Sequence, residues 1–99
     1  MLTDRHTASA AEMIVAFARE NNLATIIGEK TAGRLLSATA VKVGNGFRLA
    51  LPTGVYRTWN GSVYEGNPVE PDIPSVFDWR HRLITSTDRQ LECAVGALR

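Results

Sequence analysis

The sequence has a single cysteine, Cys93, so no internal disulfide can form, and its thiol says nothing about redox compartment. In its apolar, helix-like surroundings Cys93 reads as a small buried hydrophobe rather than a nucleophile. No stretch nears the roughly 20 apolar residues that span a bilayer. The opening Met1-Leu2-Thr3-Asp4-Arg5-His6 has no apolar core, so no signal peptide is expected in this segment. Charge of one sign is also lacking: the net charge is +1 and the basic residues are scattered, which argues against nucleic acid or a membrane surface as partner. The one basic cluster, Arg80-His81-Arg82, reads as a solvated loop. No paired cysteines occur, and His6 and His81 sit near opposite ends, so no metal-ligand spacing exists. The glycines form neither a Walker loop nor a Gly-x-Gly-x-x-Gly turn, and no bound cofactor is expected. Repeats and low-complexity segments are missing too.

What is present is an ordinary globular composition, 44% apolar over 99 residues. A chain this long forms one domain or part of one, and a compact fold would bury roughly 65% of its unfolded surface. The apolar period predicts a helix over 8–21, with Ala10, Met13, Ile14, Phe17 and Ala18 on its core face and Glu12, Arg19 and Glu20 away from it. Ser9 and Glu12 have capping-box spacing. Ala24 to Ile27 reads as a buried strand closed by Gly28. Ala38–Val43 and Phe47–Leu51 form a hairpin across Gly44-Asn45-Gly46, and Val55–Trp59 with Ser62–Tyr64 a second one across Asn60-Gly61.

Pro68, Pro71 and Pro74 mark a connector. A last helix is expected over 88–98, capped by Ser86 or Thr87, with Leu91, Val95 and Leu98 inward. Met1-Leu2-Thr3 is a possible strand end, and a domain cut inside an element is the expectation. The fold class is α/β or α+β.

Among residues able to do chemistry, Ser9 stands where the free N–H groups and positive dipole of a helix N-terminus converge, as an oxyanion requires. By position alone, a plain helix cap explains it better. Glu65, by itself, is a loop carboxylate, and Asp72 a turn former. His6, three residues before Ser9, is badly spaced to act as its base.

Three segments resemble one family in order and spacing. Thr7-Ala8-Ser9-Ala10-Ala11-Glu12 is similar to the nucleophile motif of the C-terminal-processing, or tail-specific, serine peptidases. Gly28-Glu29-Lys30-Thr31-Ala32-Gly33 resembles their Gly-x-x-Thr-x-Gly turn, and Val69-Glu70-Pro71-Asp72-Ile73 their closing Val-x-Pro-Asp-Ile segment. The resemblance covers residues 2–98. It implies a crotonase/Clp-protease-like α/β core, of which residues 1–99 would be the C-terminal portion, without a PDZ module. It also implies a polypeptide substrate, Ser9 as nucleophile, and an oxyanion hole using the Ala10 N–H and a second donor from an upstream half of the domain. An extracytoplasmic parent is what the family suggests, although its tricorn-like members are cytoplasmic.

One position departs from the Ser-Lys branch. Where that branch has a lysine base after the second glycine, this sequence has Arg34, which stays protonated and cannot accept a proton. The resemblance is therefore to the tricorn-like and retinoid-binding-protein-like branch. In the tricorn-like pattern an upstream histidine is the base and a glutamate, here Glu65, supports it. The leading expectation is a serine-type endopeptidase fragment, inactive or nearly so alone. The alternatives are a non-catalytic binding module for an apolar ligand or peptide, and a shortened reading frame without separate function.

Overall fold

A computed structural model describes residues 1–99. The elements run β1 (Leu2–Thr3), α1 (Ala10–Glu20), β2 (Ile27–Gly28), β3 (Leu36–Gly44), β4 (Phe47–Val55), β5 (Ile73–Pro74), α2 (Trp79–Thr85) and α3 (Arg89–Ala97). β1, β2 and β5 form a small parallel sheet in that order, pairing Leu2 with Ile27 and Ile27 with Ile73. α1 is the crossover that parallel neighbours require. The mixed helix-and-strand expectation holds.

The predicted strand over 24–27 shrinks to its last residue plus Gly28. Ile26 is held outside the ladder, its N–H donating to Asp72 Oδ2 at 2.7 Å while its carbonyl accepts from Asp72 and Ile73. Asp72 therefore ties β2 to β5. Gly28 has φ +131 and a Cβ there would lie 2.1 Å from the Thr3 carbonyl oxygen, so only glycine fits beside β1. Pro74 sits in edge strand β5, where a missing N–H is tolerated.

The first hairpin forms and is longer than expected. Asn45 (φ 49) and Gly46 (φ 80) supply the two positive φ values of a type I′ turn between β3 and β4. The second does not form. Around Asn60-Gly61 there is a turn without strands, because Thr58 Oγ1 takes the Ser62 N–H and Arg57 takes the Gly61 carbonyl. Arg80-His81-Arg82 lies in α2 rather than a loop, since Asp78 accepts the Arg80 and His81 N–H groups and starts a helix. Asp88, not Ser86 or Thr87, caps α3 by accepting from Gln90 and Leu91.

Packing differs most from expectation. The core is Val15, Ala16, Ile26 and Val69, with Tyr64 against it. On α1, Ala18 is buried as predicted, but Met13, Ile14 and Phe17 are exposed, and Val15, Ala16 and a wholly buried Glu12 face inward instead. On α3, Gln90 is buried, and Leu91, Val95 and Leu98 are exposed.

The radius of gyration is 17.0 Å, against about 13 Å for a compact chain of this length. The accessible surface is 7202 Å², where about 5,500 Å² would suffice for a compact monomer of this mass. Apolar faces of α1, the β3–β4 ribbon and α3 remain uncovered. No helix is long and apolar enough to cross a membrane.

Candidate active site

The path from β1 into α1 is set by Asp4. Its Oδ1 accepts the His6 and Thr7 N–H groups, each at 2.9 Å, and Thr7 Oγ1 accepts the Asp4 N–H in return. Partial burial works against ionisation of Asp4, but the hydrogen bonds from His6 and Thr7 outweigh it and lower its pKa. The Thr7 carbonyl accepts the Ala32 N–H, bringing the second motif alongside the first.

Ser9 follows with φ 55 and ψ −124. An ordinary helix-capping residue lies in the β region. Ser9 instead occupies the first central position of a type II′ turn, closed by the Ala11 N–H on the Ala8 carbonyl at 3.2 Å. That conformation suits glycine and costs a serine about 1–3 kcal/mol. Ser9 and Glu12 are placed as a capping box, the Ser9 side chain toward the Glu12 N–H and the Glu12 carboxylate accepting the Ser9 N–H at 3.2 Å, although the hydroxyl contact falls short of a full hydrogen bond. The Ser9 side chain is exposed, and the Ala10 N–H has no acceptor within the protein. A strained serine that presents its hydroxyl at the start of a helix, beside an unspent N–H, is an arrangement suited to nucleophilic attack and oxyanion binding.

Glu12 holds this together. Its Oε1 accepts the Gly33 N–H at 2.6 Å, and its Oε2 accepts the Arg34 N–H at 2.8 Å and the Ser9 N–H at 3.2 Å. A buried carboxylate costs several kcal/mol in desolvation, which three charge-assisted hydrogen bonds of about 1.5–3 kcal/mol each can offset. Sequence reading placed Glu12 on the solvent side. The available signal was the capping-box spacing of Ser9 and Glu12, which already directs the carboxylate back to the Ser9 N–H.

The third motif closes the same network. The Thr31 N–H donates to the Val69 carbonyl, and Thr31 Oγ1 accepts the Val69 N–H at 2.8 Å. Gly33 has φ +65, and a Cβ on it would press on Pro68 at 3.2 Å. Glu65 is half-buried, and its Oε2 accepts the Leu35 N–H at 2.6 Å. The consecutive N–H groups of Gly33, Arg34 and Leu35 thus all point into carboxylates.

Ser9, Ala10, Arg34 and Glu65 are therefore gathered around one turn, with the Ser9 N–H donating to the Arg34 carbonyl at 2.9 Å. The Arg34 side chain is exposed and forms no ion pair or hydrogen bond. His6 is not joined to Ser9; its Nε2 accepts from Arg5 Nε at 3.3 Å. No group of metal-ligating side chains assembles. Beside the site, a cavity of about 330 Å³ is lined by Met13, Phe17, Leu35, Tyr56 and Trp59.

The family model for peptidase family S41 matches residues 1–75, and the chain belongs to that family. It is 32% identical over 73 residues to the carboxy-terminal-processing protease of Bartonella bacilliformis, covering 74% of this chain and 17% of that protein. It is 28% identical over 79 residues to the chloroplastic carboxyl-terminal-processing peptidase 1 of Arabidopsis thaliana, covering 80% of this chain and 16% of the relative. Among solved structures, the photosystem II D1 C-terminal processing protease is 31% identical with a TM-score of 0.62, over 75% of this chain and 19% of that one. A Parabacteroides merdae protein, 24% identical with a TM-score of 0.78, covers 98% of this chain and 30% of its own, and shares the fold. The chain thus spans about a sixth of the length of the curated relatives it matches.

Proposed function

We propose that this chain carries the nucleophile-bearing part of a serine-type endopeptidase site and acts on polypeptides. The Ser9 hydroxyl attacks the scissile carbonyl and gives up its proton to a base. The oxyanion that forms is stabilised by the Ala10 N–H; as it collapses, the base passes the proton to the nitrogen, the C–N bond breaks, and the amine leaves an acyl-enzyme that water hydrolyses. Arg34 cannot take the proton, so the base is a histidine from another part of a complete catalytic domain, in the tricorn-like pattern. Glu65 is the carboxylate that orients it, with Oε2 on Leu35 and Oε1 free to do so.

The observation that carries this reading is the backbone of Ser9. A residue kept for capping alone has no need of φ 55, ψ −124, since ordinary caps lie in the β region. The uncovered apolar faces of α1 and the β3–β4 ribbon support the view that an upstream half of the domain packs there. The test is fluorophosphonate labelling of Ser9 with imidazole supplied as the missing base.

A second reading has one observation in its favour. The cavity beside α1, lined by apolar side chains and by Glu20 and Arg57 among others, together with an arginine at the family's lysine position, suits a non-catalytic module that binds a largely apolar ligand. Saturable uptake of an apolar fluorophore, with no labelling of Ser9 under any condition, would select it.

A further inference from the structure

Glu12 is the only carboxylate wholly withdrawn from solvent, and all three of its hydrogen-bond donors are main-chain groups. Two belong to Gly33 and Arg34, and the third to Ser9. A single oxygen, Oε2, receives both the Ser9 and the Arg34 N–H, while the Ser9 N–H is shared with the Arg34 carbonyl. These contacts form a closed cycle through Ser9, Arg34 and Glu12. Within it the Ser9 N–H is fixed from two sides, so the peptide before Ser9 cannot rotate away. Rotation about that N–Cα bond is what would relax φ from 55 to the β region of an ordinary cap.

We propose that Glu12 is a positioning residue, which holds Ser9 in its strained conformation and ties its backbone to the Gly33–Leu35 turn. The carboxylate form is needed. An amide would turn an N–H₂ toward either Gly33 or the Ser9–Arg34 pair, placing donor against donor. Aspartate keeps the charge but is one methylene short of reaching both. The functional meaning rests on reading Ser9 as a nucleophile; the geometric claim stands separately.

The experiment uses the 99-residue chain and its Glu12→Gln, Glu12→Asp and Ile26→Val variants. Ile26→Val thins the core without touching the Glu12 hydrogen bonds. Backbone coupling constants report φ at Ser9, and hydrogen exchange reports the Ser9, Gly33 and Arg34 N–H groups. Imidazole-assisted fluorophosphonate labelling, corrected for the folded fraction, gives a maximal rate and a half-saturation concentration.

In Glu12→Gln, Ser9 should move to negative φ, the three N–H groups should lose protection, and the maximal rate should fall roughly tenfold or more at unchanged half-saturation. Glu12→Asp should change in the same direction, and it keeps the test open if Glu12→Gln does not fold. Ile26→Val should leave φ and rate as they are. Positive φ and wild-type labelling in a folded Glu12 variant would overturn the proposal, as would a loss no larger than that of Ile26→Val. If wild-type Ser9 is never labelled, the nucleophile reading fails, and φ and exchange alone decide the role of Glu12.

Discussion

The Ser9 N–H donates to the Arg34 carbonyl oxygen at 2.9 Å, so Ser9 and Arg34 are joined through the main chain. The Arg34 side chain remains free in solvent. A shorter amine at position 34 would sit on a segment already docked against Ser9.

This gives the first prediction. Arg34→Lys should let Ser9 react with a fluorophosphonate without imidazole, roughly a hundredfold faster than the parent chain. The rate should rise with pH as the ammonium loses its proton. A rate that stays at the arginine level across the alkaline range would show that residue 34 does not face the hydroxyl.

The strain at Ser9 predicts an unusual stability order. Glycine adopts φ 55 freely, so Ser9→Gly should stabilise the chain by about 1 kcal/mol after its own unfolded-state entropy is counted. An ordinary cap would instead lose a few tenths of a kcal/mol with glycine. Urea unfolding midpoints of Ser9→Gly against wild type separate the two.

Glu65 has a structural contact to separate from its catalytic assignment. Glu65→Ala leaves the Leu35 N–H without a partner and should cost about 1–3 kcal/mol. Glu65→Gln keeps an acceptor, so the fold should survive, while turnover in a protein with the complete catalytic domain should fall strongly. Unchanged turnover in Glu65→Gln would end that assignment.

Acid should loosen the approach to the site. The Asp4 pKa is lowered in the folded chain despite its partial burial, because the His6 and Thr7 groups bond its ionised form. Its contribution is present above the unfolded value of about 3.9 and is lost as pH falls through the lower folded value. Unfolding midpoints between about pH 5 and pH 2 should fall less steeply in Asp4→Asn than in wild type.

Much of the site was legible in the sequence because its parts are short and ordered: Ser9, the Gly28–Gly33 turn and the Val69–Ile73 segment do converge. The Asn45-Gly46 hairpin was legible for the same reason, since two adjacent positive-φ residues have few other uses. Glu12 was not. Helical periodicity puts Met13, Ile14 and Phe17 inward, yet they lie outward in this chain, while Val15, Ala16 and Ala18 turn inward together with a carboxylate held by main-chain donors. The same inversion on α3 leaves Leu91, Val95 and Leu98 exposed while Gln90 reaches the Ser75 carbonyl. Asn60-Gly61 misled because the turn signal is local, while strands need partners, and Arg57 and Thr58 replace the ladder there.

The most direct measurement is the mass of the fluorophosphonate adduct on the 99-residue chain, with and without imidazole. In that reaction Ser9 Oγ forms the new P–O bond, fluoride leaves, and imidazole takes the hydroxyl proton. Labelling without imidazole should be negligible. With imidazole, a single adduct should form on Ser9, faster by roughly tenfold or more, and Ser9→Ala should abolish it. Adducts on other serines at equal rates, or no adduct on Ser9 at any imidazole concentration, would contradict it.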